Sequence, residues 1–462
     1  MDTNASGSET YNLAELREQA RYLWHPVSSP MLTQKQPPLM IARGEGAYVW
    51  DVQGNRYFDA MGGLWCVNVG HRRPEVIRAI TEQLYQLEYH NSFVDMTHPA
   101  AVRLASTIVG LLSEEGMRRV FFSSGGSDAV ETALKLARQF WRLKGQPTRT
   151  KFIALNHGYH GMHFGGTALN GTPSIRTAIG PTVADCYHID APHMYRNPWT
   201  KDPAELGQIC AGILERQILS QNPDTVAAFI AEPIMGIGGV IVPPDNFWPL
   251  AREVCDKYDV LLIADEVVTG FGRSGSMSGS RGWNVKPDLM CLAKGLTSGY
   301  IPMGATAVSA KVAEAFESTP PPQGLLLHAY TYSGHPVAAA AALACLDIVV
   351  KDDLPANAQV VGSYMQDGLK EFLSFEHVGD VRGKGLMAAI ELVDDRRSKR
   401  PLGPTSRLGY EVGSVARQNG ALIRAVGSLL IFSPPLISTR ADIDVLLNAL
   451  RTAFNQVDTK AA

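Results

Sequence analysis

Short apolar runs alternate with longer amphipathic stretches through the middle of the chain. The runs cover residues 120–122, 152–155, 226–231, 260–264, 289–293 and 304–310. Between the first two, residues 128–145 carry small and branched apolar side chains at i, i+3, i+4 and i+7 from Val130, which predicts a helix with one apolar face. Strands that are apolar throughout and alternate with helices favour a mostly parallel sheet covered on both faces.

The pattern differs towards the two ends of the chain. Residues 48–60 predict a hairpin around Gln53-Gly54-Asn55, and residues 74–112 predict helix with a break near 90–98. After Val337 come a long Ala-rich helix, a strand pair around 381–392 and a closing amphipathic helix. We therefore expect an N-terminal segment (1–70) that joins a small α+β domain, a large α/β domain (71–335) and a C-terminal small domain (336–462).

Composition narrows the class of protein. A chain of 462 residues with 45% apolar residues is typical of a globular protein. Its net charge of −3 gives it no excess of positive charge with which to bind nucleic acid or an anionic membrane. The six cysteines are widely spaced, which favours free thiols over disulfides or structural zinc. We expect no signal peptide at residues 1–12 and no span in the broken apolar segment 337–350, so the predicted location is cytoplasmic.

Two polar residues stand at the ends of consecutive buried runs. Asp265 ends the run 260–264, where a partly desolvated carboxylate needs a cationic or donor partner. Lys294 follows 289–293 and precedes Gly295, and burial there would lower its pKa into the range that imine chemistry requires. Taken separately, each residue has a simpler interpretation: Asp265 could cap a helix or form a structural salt bridge, and Lys294 could be a solvated surface lysine, as most lysines are. Together they suggest a covalent imine cofactor, with Asp265 on a pyridine nitrogen and Lys294 as the Schiff-base lysine. The side chain of Glu266 should point the other way.

Three further features are candidates for the same site. The loop Gly126-Ser127 opens a helix, which suits an anion such as phosphate, although a plain capped turn is the simpler interpretation. Tyr159 at a strand end could stack on a planar ring, whereas the HxxHxxH pattern around it is interrupted by glycines that argue against a metal site. Arg424, between apolar residues, would either neutralise a structural carboxylate or bind a substrate carboxylate.

Taken together, these motifs resemble the class III aminotransferases of the fold-type I, pyridoxal-phosphate-dependent superfamily. The resemblance covers nearly the whole chain, and LLIADEVVTGFGRSG, LAKGLTSGYIPMGA and YTYSGHPVAAAAALA are its most specific elements. The stretch GLWCVNVG is most similar to the omega-amino acid:pyruvate transaminases. The resemblance implies pyridoxal 5′-phosphate (PLP) as cofactor, no metal, and a homodimer, possibly a dimer of dimers, with shared active sites.

The resemblance also implies a role for each matching residue. Lys294 and Asp265 would be catalytic, Gly126 and Ser127 would hold the phosphate, and Glu232 would lie near the ring hydroxyl. The other implied contacts are Tyr159 and Val267 on the two ring faces, Thr331 on the phosphate of the neighbouring subunit, and Trp65, Tyr159 and Arg424 in the substrate pocket.

Three departures from the family pattern bear on specificity. Gly125 stands where relatives often have a serine, which removes one possible phosphate donor. Ile237 replaces a glutamate that masks the pocket arginine in ornithine and 4-aminobutyrate relatives, so the resemblance favours pyruvate over 2-oxoglutarate as acceptor. Val27 stands where some amine transaminases have an aromatic residue, so a wider outer pocket is expected.

The predicted function is therefore transfer of an amino group from an omega-amino acid or primary amine to pyruvate. The donors considered are β-alanine, taurine, 4-aminobutyrate, putrescine and aryl-alkylamines. The alternatives are an aminomutase or other isomerase, a racemase or decarboxylase, a 2-oxoglutarate-dependent aminotransferase, and a cofactor-binding regulator, for which no helix-turn-helix segment is evident.

Overall fold

The structure is a computed structural model that describes residues 11–35 and 38–461, with side chains to Val457. Residues 1–10, on which most of the signal-peptide prediction rests, lie outside the described residues. The helices are α1 (Leu13–Gln19), α2 (Pro30–Lys35), α3 (Gly62–Trp65, a single irregular turn), α4 (Pro74–Gln86), α5 (Pro99–Leu111), α6 (Gly126–Leu143), α7 (Phe164–Leu169), α8 (Pro173–Thr177), α9 (Pro203–Ser220), α10 (Phe247–Lys257), α11 (Ala310–Glu317), α12 (Pro336–Lys351), α13 (Leu354–Leu369), α14 (Leu408–Gln418) and α15 (Arg440–Ala461).

The strands form three sheets. They are β1 (Ile41–Glu45), β2 (Tyr48–Asp51), β3 (Arg56–Asp59), β4 (Met117–Ser123), β5 (Lys151–Leu155), β6 (Cys186–Ile189), β7 (Val226–Ala231), β8 (Leu261–Asp265), β9 (Leu289–Leu292), β10 (Gly304–Ser309), β11 (Val378–Gly383), β12 (Ala388–Asp395), β13 (Arg400–Pro401), β14 (Ala421–Leu422), β15 (Arg424–Val426) and β16 (Leu429–Phe432).

The central sheet has seven strands in the order β4-β10-β9-β8-β7-β5-β6. Neighbouring strands from β9 to β6 pair in parallel, and β10 alone runs antiparallel to both of its neighbours, so the predicted mostly parallel sheet is confirmed. Side chains of β7 alternate between two cores, with Phe229 and Ala231 facing one and Ala228 and Ile230 facing the other. Both faces are therefore covered, as continuous apolar strands require.

The two smaller sheets combine segments from opposite ends of the chain. The predicted hairpin forms as β2 and β3, which pair antiparallel with Tyr48 opposite Phe58. The short strand β14 then pairs in parallel with β3, placing Ala421 opposite Phe58. The third sheet has the order β11-β12-β16-β15, with β13 paired to β12. The predicted domain boundaries themselves stay a prediction.

Strand direction decides where the functional candidates meet. Since β10 is antiparallel to both β4 and β9, β4 runs in the same direction as β9, β8, β7 and β5. The carboxyl ends of all five strands therefore lie along one edge of the sheet, which is where open α/β sheets bind their ligands. In the described part of the chain no helix is long and apolar enough to cross a membrane. The cytoplasmic location stays a prediction.

Candidate active site

Asp265 is the last residue of β8 and lies opposite Cys291 of β9. Its side chain is buried, with 3% of the residue exposed. One carboxylate oxygen lies 2.8 Å from His160 Nδ1, and the other accepts a hydrogen bond from the Val267 amide at 3.2 Å. The buried carboxylate thus has donors on two sides, which offsets its desolvation.

Glu266, the next residue, faces a different environment. Its carboxylate accepts hydrogen bonds from the amides of Gly279 and Ser280, at 2.8 and 2.7 Å, and from two hydroxyl groups. This geometry agrees with the prediction that the Glu266 side chain points away from that of Asp265. Glu266 is a structural acid that holds the loop after β8.

Lys294 opens the short 3-10 turn Lys294–Leu296 that follows β9. Its φ of 40° lies in the left-handed region, a strained conformation for a lysine. The half-buried ammonium makes no hydrogen bond or ion pair with any residue that the structure describes. Burial lowers its pKa, and the nearby charges of Asp265 and Glu232 oppose that shift only in part. An amine with a lowered pKa is the form of lysine that acts as a nucleophile and base.

The amino end of α6 lies against the ends of β8 and β9. A Cβ added at Gly126 would approach Val267 Cγ1 to 3.0 Å and Ala293 Cβ to 3.6 Å, so the helix starts as close to these residues as a glycine allows. Ser127 Oγ accepts a hydrogen bond from the Met162 amide at 3.1 Å. The first turn of an 18-residue helix thus presents its amide groups at the same edge as Asp265 and Lys294.

Glu232 follows β7 and completes the acidic side of this edge. One carboxylate oxygen accepts a hydrogen bond from the Tyr159 amide and the other from the Gly236 amide, both at 2.9 Å. Burial, and then the charge of Asp265, raise the pKa of Glu232 to about 7. Glu232 therefore fixes the backbone of the loop that carries Tyr159, whose own pKa is raised mainly by burial.

Arg424 begins β15 and lies opposite Ile431 of β16. Within the described residues its half-buried guanidinium has no hydrogen bond or ion pair, so the simpler prediction that it neutralises a structural carboxylate has no support here. Burial lowers the pKa of Arg424, and the electrostatic interaction with Tyr159 places the two side chains near each other. A desolvated guanidinium without a partner is poised to bind a carboxylate.

Trp65 and Thr331 lie in different settings. Trp65 is 2% exposed with a φ of 66°, and its indole reaches to 3.8 Å of the Cβ position of Gly236, close to Glu232. The side chain of Thr331 is exposed, while its carbonyl accepts a hydrogen bond from the Tyr89 hydroxyl at 2.7 Å. The structure thus gathers nine of the ten predicted site residues near one sheet edge and leaves Thr331 at the surface.

The three histidines of the HxxHxxH pattern point to three different partners. His157 has an edge-on ring contact with His193, His160 binds Asp265, and His163 lies 2.6 Å from Asp128. No group of three or more His, Cys, Asp or Glu side chains in the described ranges could hold a metal ion. The pairing of His160 with Asp265 was not predicted, and the only available signal was that a buried carboxylate at a strand end needs a donor.

The comparisons with known proteins agree with this geometry. The family model "Aminotransferase class-III" matches residues 31–454. The chain belongs to the class-III aminotransferases. It is 41% identical over 422 residues to a putrescine–pyruvate aminotransferase of Pseudomonas aeruginosa, covering 90% of each chain.

Solved structures of aminotransferases match the whole fold. An amine transaminase from an uncultivated Pseudomonas species, in its PLP-bound form, is 49% identical with a TM-score of 0.93, covering 94% of this chain and 98% of the other. An (S)-enantioselective omega-transaminase from Thermomicrobium roseum is 39% identical with a TM-score of 0.94, covering 97% and 99%. The fold is therefore that of the fold-type I PLP-dependent transaminases, as predicted.

The cofactor of this aminotransferase is PLP, and the residues at the sheet edge fit it. The group has a phosphate, a pyridine nitrogen and an aldehyde, which require an anion site, a carboxylate and an amine. The amino end of α6, buried Asp265 and unpartnered Lys294 supply these three on neighbouring elements. The methyl groups of Val267 beside Gly126 add an apolar surface.

Proposed function

We propose that this aminotransferase moves an amino group from an omega-amino acid or primary amine to pyruvate. The observation that carries the proposal is Arg424, a half-buried guanidinium without a partner that interacts electrostatically with Tyr159 and Lys294. An arginine in this state binds one carboxylate bidentately, which suits a small oxo acid. The similarity to a putrescine–pyruvate aminotransferase and to amine transaminases supports the same pair of substrates.

Each catalytic residue has a distinct proposed part in this reaction. When bound, PLP supplies an aldehyde that carries the amino group and a ring that accepts electron density. Lys294 would hold PLP through that aldehyde, and its free amine would act as the base that takes a proton from the donor carbon next to nitrogen. Asp265 would keep the pyridine nitrogen protonated, because a buried carboxylate favours an adjacent positive charge.

The remaining site residues position the cofactor. Gly126 and Ser127 would hold the phosphate through the amides at the start of α6, and Tyr159 and Val267 would cover the two faces of the ring. Glu232 would lie near the ring hydroxyl, and it holds the Tyr159 backbone through the 2.9 Å hydrogen bond.

The substrate side of the proposal depends on three residues. Arg424 binds the acceptor carboxylate and turns aside, or binds a distal acid, when the donor occupies the pocket. Ile237 has no charge with which to mask Arg424, so a short acceptor such as pyruvate can reach it. Trp65, close to Gly236 and Glu232, limits the size of the donor.

An absorbance experiment with the PLP-loaded enzyme tests this function. Addition of an amine from a panel (β-alanine, taurine, 4-aminobutyrate, putrescine, an aryl-alkylamine) should remove the absorbance of the aldehyde form. Pyruvate should restore it, and 2-oxoglutarate should not. If 2-oxoglutarate restored the absorbance and pyruvate did not, 2-oxoglutarate would be the acceptor. Turnover of an amino acid with no oxo acid present would instead identify an aminomutase.

We further propose a homodimer in which each active site includes Thr331 of the other subunit. Thr331 is exposed. Large apolar side chains are also exposed in residues 327–332, which surround it in the sequence, and in residues 85–94, which contact it through Tyr89. They include Tyr85, Val94, Leu327 and Tyr332. Such surface is typical of an interface that a second copy covers.

Mixing two variants tests the shared site. Thr331→Val and Lys294→Ala should each weaken or abolish activity as homodimers. In a mixed dimer one site receives both substitutions and the other receives neither, so mixing should restore part of the activity. If mixing restores nothing although mixed dimers form, Thr331 does not act across subunits.

A further inference from the structure

A cavity of about 520 Å³ has none of the predicted site residues in its lining. One wall comes from residues 193–201, which follow β6. The other comes from β11, together with Gln366 of α13, Lys370 directly after α13, and Lys399. Four basic side chains line it, whereas Asp380 is its only lining carboxylate. The basic residues are Lys201, Lys370, Arg382 and Lys399. The whole chain carries a net charge of −3, so the lining of the cavity is more positive than the chain as a whole.

Two carboxylates, Asp380 in the lining and Glu391 behind it, are already engaged. Buried Glu391 lies 2.6 Å from Arg196 Nε and 2.7 Å from Arg382 Nη1, and Arg382 Nη1 also donates to Asp380 at 2.7 Å. Two guanidinium groups and two carboxylates therefore balance each other. The charge of the lysines is not part of this balance.

The lysines lack carboxylate partners inside the cavity. Lys399 Nζ donates to the neutral carbonyl of Tyr195 at 2.7 Å and lies over the Tyr195 ring. Lys201 makes no hydrogen bond or ion pair with residues in the described ranges. Lys370 pairs with Asp367 at the exposed rim, 2.8 Å away. Two uncompensated positive charges thus remain at Lys201 and Lys399.

Each wall of the cavity carries a buried donor that has no partner among the described residues, and the 193–201 wall also carries a neutral histidine. Arg382 Nη2 and the Tyr195 hydroxyl are buried without a hydrogen-bond partner, which is rare for such groups in folded proteins. Burial, and then the charge of Arg382, lower the pKa of His193 to about 2, so it adds no charge of its own. The side chains that form the two walls therefore combine the positive charge of the lysines with two unpaired donors, and an anion would match both.

We propose that this cavity binds a small polyanion, such as a di- or tricarboxylate or a phosphate compound, between Lys201 and Lys399. The volume is within the range of small-molecule sites. The occupant would lie beside Arg382, whose Nε donates to the Gly239 carbonyl at 2.7 Å. Gly239 belongs to the loop that begins at Glu232, so the cavity contacts a segment of the active site from outside.

Calorimetric titration of the PLP-loaded enzyme tests the proposal, because PLP then fills the phosphate site at α6. Citrate and inorganic pyrophosphate are titrated separately, which distinguishes carboxylate from phosphate ligands. We expect one of them to bind saturably at one site per chain. The double variant Lys201→Gln/Lys399→Gln should weaken that binding at least about tenfold.

A matched double variant removes the same charge elsewhere. Lys144→Gln/Lys351→Gln alters two exposed lysines outside the lining of the cavity and should bind like the unaltered enzyme. Both double variants leave the buried Arg382–Glu391 pair intact, so folding is preserved. The proposal is overturned if neither anion binds at millimolar concentration, or if both double variants affect binding equally.

Discussion

The packing at Gly126 allows a sharp test of how the PLP site is built. Gly126→Ala adds one methyl group at the start of α6, where the new Cβ would meet Val267 Cγ1 and Cγ2 at 3.0 and 3.1 Å. Ordinary carbon–carbon contacts are roughly 3.5–4.0 Å, so Val267 or the helix must move. Either movement disturbs the phosphate cradle or the proposed apolar face of the ring.

The magnitude selects the assay. Overpacking of this kind costs about 1–3 kcal/mol. For a chain of 462 residues the entropy of unfolding is roughly 1 kcal/mol per kelvin, so the melting temperature would fall by only about 1–3 °C. If the same 1–3 kcal/mol is lost from the free energy of PLP binding, the dissociation constant for PLP rises by roughly 5- to 150-fold. Titration of the apo-enzyme with PLP, followed by absorbance, is therefore the sensitive measurement.

The neighbouring residue provides the control. Gly125 has extended backbone, and a Cβ added there meets no heavy atom within 4 Å, so Gly125→Ala should leave PLP affinity nearly unchanged. Val267→Ala should relieve part of the loss caused by Gly126→Ala, giving a coupling free energy of about 1 kcal/mol in a double-mutant cycle. Equal PLP affinity for Gly125→Ala and Gly126→Ala would refute the proposed packing.

Three other changes follow from the site. Arg424→Ala should raise the KM for pyruvate about tenfold or more, and Arg424→Lys less, since an ammonium lacks the bidentate geometry; an unchanged KM in steady-state kinetics would exclude the proposed role. Asp265→Asn should lower kcat at least about a hundredfold, whereas Glu266→Gln should mainly lower the free energy of unfolding; equal losses of kcat would contradict the assignment. The raised pKa of Glu232 stabilises the fold below its unfolded value of 4.5, and this contribution is lost as pH rises through about 7. The free energy of unfolding of the apo-enzyme should therefore fall between about pH 5 and pH 8, as followed by denaturation. In Glu232→Gln this fall should be smaller by roughly 2–3 kcal/mol. Identical pH profiles for the two proteins would show that Glu232 does not titrate in this range.

Much of this architecture is readable from local pattern. Continuous apolar runs predicted six of the seven strands of the central sheet, all except β6, and helical spacing predicted α6. The positions of Asp265 and Lys294 at the ends of consecutive runs predicted that they share a sheet edge. These inferences succeed because strand burial and side-chain period are properties of neighbouring residues.

The sequence by itself therefore determined the order of the elements, the family and the chemistry of the two central side chains. Only the tertiary structure decided that His160 pairs with Asp265, that Glu232 holds the Tyr159 backbone and that Arg424 has no partner among the described residues. It also placed Lys201 and Lys399, distant along the chain, around one cavity. Hydrogen bonds and burial between distant segments depend on the order and direction of the strands, and that order minimises exposed apolar surface over the whole chain rather than within any one stretch.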